Sequence, residues 1–200
     1  MNPSDNLRQF VQETYSNVRS PHRTKKLHDA VLSAIDLPFY NWKFEHCFYP
    51  DSYGNKFDVD IAGFLDGHLK IAVLVKCNNS NIAKNLKNYA NTTIGESARL
   101  MLAETPPEKI LFVSIFPRKS PVFNKHGEVV RIENVVRAKT KTDVVPVLQK
   151  LWGKRVETID CFYDIVDIEM KTKKEDFFKI NICKDDFELL ESYSKKQIDK

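Results

Sequence analysis

Glycine is scarce in this chain, and that scarcity removes the commonest nucleotide-binding motifs. Only 6 glycines occur among 200 residues. None of them builds a GxGxxG or GxxxxGK[ST] loop, the patterns whose glycines bring the backbone close to a phosphate. Apolar runs of about 18 residues, the length that a membrane-spanning helix needs, are also missing. We therefore expect neither a P-loop nor a dinucleotide-binding fold, and no membrane partner.

Paired cysteines are absent as well. Cys47, Cys77, Cys161 and Cys183 lie far apart, without a CxxC pair, so we expect reduced thiols rather than a zinc site or a disulfide framework. None of the 5 histidines lies at metal-ligand spacing from a cysteine or glutamate. The first residues (MNPSDNLRQF) are too polar for a signal peptide. Together these features predict a cytoplasmic protein.

The bulk composition is that of an ordinary globular protein. Hydrophobic residues make up 42% of the chain and charged residues 29%. A length of 200 residues predicts a single domain, 1–200, with one sizeable core. The formal net charge of +4 permits a nucleic-acid partner but does not require one.

One strand is expected to carry two carboxylates. Phe57, Val59 and Ile61 alternate with Asp58 and Asp60, which is typical of a strand with two different faces. The same alternation predicts that both aspartates share a face. Because buried charges are costly unless they pair or hold a metal, this strand is the first place to look for chemistry.

A second strand follows after a tight turn. Asp66-Gly67 is a strong hairpin signal, since glycine tolerates the positive φ that such turns require. Residues 69–75 are almost all apolar, which is typical of a strand buried in the middle of a sheet. Lys76 ends this run. A cation is therefore expected opposite the strand that carries the two carboxylates.

The remaining elements complete an α/β pattern. The predicted helices cover residues 4–18, 24–36, 80–104, 142–152 and 186–200, and the other predicted strands cover residues 39–49, 109–116, 128–136 and 156–170. Residues 117–127 are predicted to form a basic loop. A hairpin followed by a long helix and another apolar strand indicates a mixed central sheet flanked by helices.

The order of these residues resembles the PD-(D/E)xK nuclease superfamily, which includes restriction endonucleases and junction resolvases. The family motif is an aspartate on one strand and Glu-x-Lys on the next. Here Asp58-Val-Asp60 and Leu74-Val75-Lys76 occupy the corresponding strands. The resemblance covers about residues 24–116, the restriction endonuclease-like αβββαβ core, and leaves residues 117–200 as a C-terminal elaboration.

The resemblance implies roles for individual residues. Asp60 is implied as the catalytic, metal-binding aspartate and Lys76 as the motif lysine, with Asp58 as the alternative aspartate and Glu45 as a further acid. The implied cofactor is Mg²⁺ or Mn²⁺, which polarises a phosphate and lowers the pKa of an attacking water. The candidate nucleic-acid contacts are Lys25, Lys26, Asn78, Lys84, Lys87, Arg118 and Lys119.

The chain departs from the family at the motif glutamate. Leu74 stands where that residue is expected, and an isobutyl group cannot bind metal. Three explanations remain open. Asp58 and Asp60 supply the carboxylates together, with or without Glu45; or the chain is a degenerate relative that binds without cleaving; or Leu74 is an inactivating change.

The sequence leads to three hypotheses about function. The first is a metal-dependent endonuclease that hydrolyses phosphodiester bonds in DNA, with RNA left open, and a homodimer would provide two active sites for the two strands of a duplex. The second is a catalytically degenerate nuclease-fold module that binds nucleic acid or a protein without cleaving. The third and weakest is a protein-binding inhibitor or assembly factor.

Overall fold

The computed structural model describes residues 3–14, 21–35, 37–79, 82–165, 169–173 and 182–198. The helices are α1 (Pro3–Thr14), α2 (Pro21–Ile35), α3 (Ile82–Met101), α4 (Val135–Thr140), α5 (Val145–Trp152) and α6 (Glu188–Ile198), with one 3₁₀ turn at Gly153–Arg155. The strands are β1 (Asn41–Phe48), β2 (Phe57–Leu65), β3 (His68–Cys77), β4 (Lys109–Pro117), β5 (Lys119–Phe123), β6 (Val129–Asn134), β7 (Val156–Ile165) and β8 (Ile182–Asp185).

Six strands form a mixed central sheet in the order β1-β2-β3-β4-β7-β8. The first three strands are antiparallel, β3, β4 and β7 are parallel, and β8 returns antiparallel to β7. Strands β5 and β6 form a separate two-stranded ribbon. The predicted α/β class with a mixed, helix-flanked sheet is confirmed, and the residues after 117 extend the sheet that the first part of the chain begins.

The β2–β3 hairpin forms as its sequence indicated. Asp66 and Gly67 both adopt positive φ, 52° and 78°, and Leu65 pairs with His68 across the turn. Two positive φ values match the type I′ turn, whose twist suits that of the flanking strands. Strand β3 then alternates between the two faces of the sheet and is buried on both.

The core lies in two layers, one on each face of the sheet. Val73 and Val75 pack with residues of α1, α2 and α6, whereas Ala72 and Leu74 pack with residues of α3 and α5. Each fully buried aliphatic side chain contributes about 1.5–3 kcal/mol, so both layers hold β3 in place. The position of Lys76 is thereby fixed at the carboxyl end of that strand.

Several predicted boundaries need correction. The stretch 117–127 is not a loop throughout, because Lys119–Phe123 forms β5 and pairs with β6. The strand predicted over 128–136 ends at Asn134, whose side chain caps α4 by accepting a hydrogen bond from the Arg137 N–H. Strand β8 was not predicted. The predicted elements at residues 15–18, 80–81, 166–168 and 199–200 lie outside the described residues.

All four cysteines carry free thiols, in agreement with the prediction from their spacing. Within the described residues, no helix is both long enough and apolar enough to cross a membrane.

Candidate metal centre

Three possible ligands for a metal ion meet at one edge of the sheet. They are His28 of α2, Glu45 of β1 and Asp60 of β2, and one ligand atom from each lies within 4.8 Å of the others. Glu45 and Asp60 face each other across the β1–β2 ladder, between the Phe44–Ile61 and His46–Val59 pairs. Helix α2 brings His28 over this pair from the side of the first core layer.

The contact between His28 and Glu45 has the spacing of two metal ligands. His28 is 2% exposed, and its Nδ1 lies 3.0 Å from Glu45 Oε1. Despite this distance, Nδ1 makes no hydrogen bond among the described residues. Adjacent ligands of an ion bonded at about 2.1 Å are themselves about 3 Å apart. His28 and Glu45 therefore have the separation of two ligands of one divalent ion.

Asp60 joins this cluster to the end of β3. Its Oδ1 lies 3.9 Å from His28 Nε2, and its Oδ2 accepts a 2.6 Å hydrogen bond from the Val75 N–H. Val75 directly precedes Lys76, so Asp60 is attached to the backbone of the strand that ends in the motif lysine.

Strained backbone accompanies the cluster. Glu45 has a φ of 47°, a conformation that is uncommon for residues other than glycine. On the facing strand, alternation breaks near Asp60, because Val59 and Ala62 pack with one core layer and Ile61 with the other. Residues held in such conformations concentrate at functional sites. The break also explains why Asp60 reaches the cluster while Asp58 does not.

Asp58 was expected to share a face with Asp60. In the structure it is exposed, pairs with Cys47 across the ladder, and does not belong to the three-residue cluster. The geometry thus favours Asp60 as the metal-binding aspartate.

Leu74 is a core residue. It is 2% exposed and packs in the layer that contains Leu100 and Phe112. Glu96, which the sequence analysis did not select, provides the acid next to the lysine instead. Its Oε1 lies 3.3 Å from Lys76 Nζ, and helix α3 supplies it from the layer above the sheet.

The surroundings of Glu96 disfavour its charge. Burial raises the pKa of this carboxyl group, the Lys76 ammonium offsets part of the effect, and the charge of Asp60 raises the pKa further. Its Oε2 is buried and has no hydrogen-bond partner within the described part of the chain. A cation placed between Glu96 and Asp60 would relieve both penalties.

A second polar row continues from Lys76 across the sheet. Lys76 pairs with Ser114 on β4, and Ser114 pairs with Asp160 on β7. The hydroxyl groups of Ser114 and Tyr89 share a hydrogen bond, while Lys139 Nζ lies 2.8 Å from Asp160 Oδ2. Burial raises the pKa of Tyr89 to about 12, so this phenol stays protonated at neutral pH. We interpret these hydrogen bonds as contacts that hold the carboxyl ends of β3, β4 and β7 in position.

The predicted nucleic-acid contacts have diverse surroundings. Lys25 and Lys26 form exposed ion pairs with Asp29 and Glu13, which contribute little to stability and leave both ammonium groups able to turn to a phosphate. Lys25 Nζ also lies 5.8 Å from the centroid of the Phe44 ring, which stacks on His28. Lys25 is therefore next to the candidate metal centre.

The other predicted contacts lie farther along the chain. Arg118 pairs with Asp164 of β7 at 3.3 Å and also with Asp186, the residue after β8, so its guanidinium is held between these two carboxylates. Asn78, Lys87 and Lys119 are exposed, and the side chain of Lys84 lies outside the described part of α3.

No family model, curated protein or solved structure matches this chain. The interpretation of its function therefore depends on the chemistry of the site.

Proposed function

We propose that this chain is a metal-dependent endonuclease that hydrolyses phosphodiester bonds in DNA, and that it is related to the PD-(D/E)xK nucleases. The order α2-β1-β2-β3-α3-β4 agrees with the αβββαβ core that the resemblance implies. The observation that carries the proposal is the convergence of His28, Glu45 and Asp60, with Asp60 attached by its hydrogen bond from the Val75 N–H to the strand that ends in Lys76.

The donor set determines which ion we expect. Two carboxylates suit Mg²⁺ or Mn²⁺, and the imidazole of His28 shifts the preference towards Mn²⁺. A bound divalent ion polarises the scissile phosphate and lowers the pKa of a coordinated water. Asp60 is fixed for this role by its hydrogen bond from the Val75 N–H.

Lys76 and Glu96 would act on the reacting groups. The Lys76 ammonium, half-buried and held by Glu96 at 3.3 Å, can orient the attacking water and stabilise the charge that develops on the phosphate oxygens. Glu96 would hold the ammonium in place and supply, from α3, the carboxylate that position 74 lacks.

Cleavage assays on labelled DNA and RNA with Mg²⁺, Mn²⁺ or EDTA test the proposal. We expect cleavage with Mn²⁺ that Asp60→Ala and His28→Ala abolish, and a loss of about 10²–10⁴-fold in Lys76→Ala. Mn²⁺ binding, measured by calorimetry, should weaken in the first two variants and persist in Lys76→Ala. Asp58→Ala decides which aspartate binds the metal: if Asp60 does, this variant should keep both Mn²⁺ binding and cleavage. Absence of metal-dependent cleavage of every substrate would refute the proposal.

Leu74 favours a second candidate, the degenerate nuclease-fold module that binds nucleic acid or a protein without cleaving. Its complete burial shows a residue that serves the core rather than chemistry. This alternative predicts binding that survives both EDTA and Asp60→Ala. Nucleic-acid binding would also weaken steeply with salt, whereas a protein-binding module need not show that dependence.

A further inference from the structure

The loop between β1 and β2, residues 49–56, displays two tyrosine rings at one end of the strands that carry Glu45 and Asp60. Tyr49 is 66% exposed and Tyr53 is 69% exposed. Resting on the proposed function, we propose that this loop is a stacking platform for unpaired bases, so that the substrate has single-stranded nucleotides beside the scissile phosphate.

The loop is held rigidly although its aromatic rings face solvent. Asp51, 4% exposed, accepts hydrogen bonds at Oδ1 from the N–H groups of Tyr53 and Asn55, both at 2.9 Å. Its Oδ2 accepts a 2.6 Å hydrogen bond from Arg99 Nε. Burial alone would raise the pKa of Asp51, but these hydrogen bonds and the Arg99 charge outweigh it and lower the pKa. Asp51 is therefore charged at neutral pH and fixes the loop.

Helix α3 provides the second attachment. The Ser52 N–H donates to the Arg99 carbonyl at 3.0 Å, and Arg99 Nη2 donates to the Lys56 carbonyl at 3.0 Å. The Arg99 guanidinium also lies 5.9 Å from the centroid of the Tyr53 ring. A ring on a rigid loop loses little conformational entropy when a ligand stacks on it, which favours binding.

The same attachments place the platform beside the proposed chemistry. Arg99 follows Glu96 by three residues in α3, about 4.5 Å along the helix axis. Along β2, Phe57 at the end of the loop precedes Asp60 by three residues, about 10 Å. The tyrosines thus lie within reach of nucleotides that flank a phosphate held at the metal centre.

The chemistry of the loop selects unpaired bases. In a duplex, each base stacks on its neighbours inside the helix, so its face reaches a protein ring only after unstacking. Bases of a single strand expose their faces, and aromatic stacking binds them with little sequence preference. The ammonium of Lys56, exposed in the same loop, adds a charge for the backbone of that strand.

Binding measurements with a cleavage-inactive background test the platform. In Asp60→Asn without metal, we expect fluorescence anisotropy to show tighter binding of a labelled thymidine oligonucleotide than of a duplex of equal length. Tyr49→Ala and Tyr53→Ala should each weaken single-strand binding by at least about fivefold and leave duplex binding unchanged. Tyr53→Trp should retain the affinity. The affinity for an RNA oligonucleotide of the same length, compared with that for the thymidine oligonucleotide, shows whether the platform prefers DNA or RNA.

Phe39→Ala is the matched control. Phe39 is an equally exposed aromatic residue, 68%, but it precedes β1 at the opposite end of that strand, so its removal should leave binding unchanged. Equal losses in all three alanine variants, or no loss in the tyrosine variants, would overturn the platform. If the tyrosine variants refute the platform but the parent chain still cleaves, the proposed endonuclease function stands and the platform does not. If binding depends on the tyrosines but the parent chain cleaves no substrate, the platform stands and the endonuclease function does not.

Discussion

Replacing Leu74 by glutamate tests which element supplies the acid beside Lys76. If α3 supplies it through Glu96, position 74 belongs to the core, and a carboxylate there has no useful partner. If instead β3 can supply it, Leu74→Glu restores the family motif and should create a better metal site. The two interpretations predict opposite changes in stability and in activity.

The magnitude follows from the surroundings of Leu74. The side chain is 2% exposed and packs in the layer that contains Leu100 and Phe112. Loss of its burial removes about 1.5–3 kcal/mol, and desolvation of an unpaired carboxylate adds several kcal/mol. We expect Leu74→Glu to lower the free energy of unfolding by at least about 5 kcal/mol. Since a domain of this size is stable by about 5–15 kcal/mol, much of the fold's stability would be lost.

Urea denaturation followed by circular dichroism measures this loss. Leu74→Gln is the matched control, because glutamine has the shape of glutamate without its charge, so the difference between the two variants isolates the carboxylate. We expect both variants to unfold at lower urea than the parent, Leu74→Glu more so at pH 8, and the gap to narrow at lower pH as the carboxylate becomes protonated.

A different outcome would refute this reasoning. In that outcome, Leu74→Glu is within about 1 kcal/mol of the parent in stability. Its urea midpoint rises when Mn²⁺ is added, and it cleaves more strongly than the parent. Such a result would mean that β3 faces the metal and that Glu96 is a neighbour of the lysine without a role in the site.

Two further predictions concern stability. Burial raises the pKa of Glu96, so its contribution to stability is present below the unfolded-state pKa and is lost as pH rises toward the raised folded-state pKa. At a pH above both pKa values, Glu96→Gln should therefore raise the urea midpoint, and it should also impair cleavage. An unchanged urea midpoint at pH 8 would contradict the conclusion that burial disfavours the charge of Glu96. Gly63→Ala should destabilise by about 1–3 kcal/mol in thermal denaturation, because its Cβ would lie 2.5 Å from Ile71 Cγ2 and 2.7 Å from Trp42 Cζ3; a stability equal to that of the parent would show that these side chains can move aside.

Hydrophobic periodicity predicted the elements that are buried by their own pattern. Strand β4 was expected over 109–116 and extends over Lys109–Pro117, because a continuous apolar run needs burial on both faces. Strands β5 and β8 were missed. Each is short, and β5 contains Pro121. β8 is defined by pairing with β7, a partner that a local pattern cannot reveal.

The strand residues of the candidate site, Glu45, Asp60 and Lys76, were named from the sequence, whereas His28 and Glu96, which helices supply, were not selected. Periodicity identifies the type of an element, but it does not say which elements meet in space. His28 and Glu96 nevertheless left a signal. His28 lies three and seven residues before Val31 and Ile35, and Glu96 lies four residues before Leu100, so both polar groups occur on the apolar faces of their helices.

Four departures from local rules occur together at this edge of the sheet. Glu45 has a positive φ, strand alternation breaks at Asp60, and His28 and Glu96 bury polar atoms without hydrogen bonds within the described residues. Each departure costs free energy in the isolated chain, and packing alone gives no reason for them to coincide. A divalent cation would offset the buried imidazole nitrogen and the crowded carboxylates at once. Their coincidence is the structural basis of the proposed ion site.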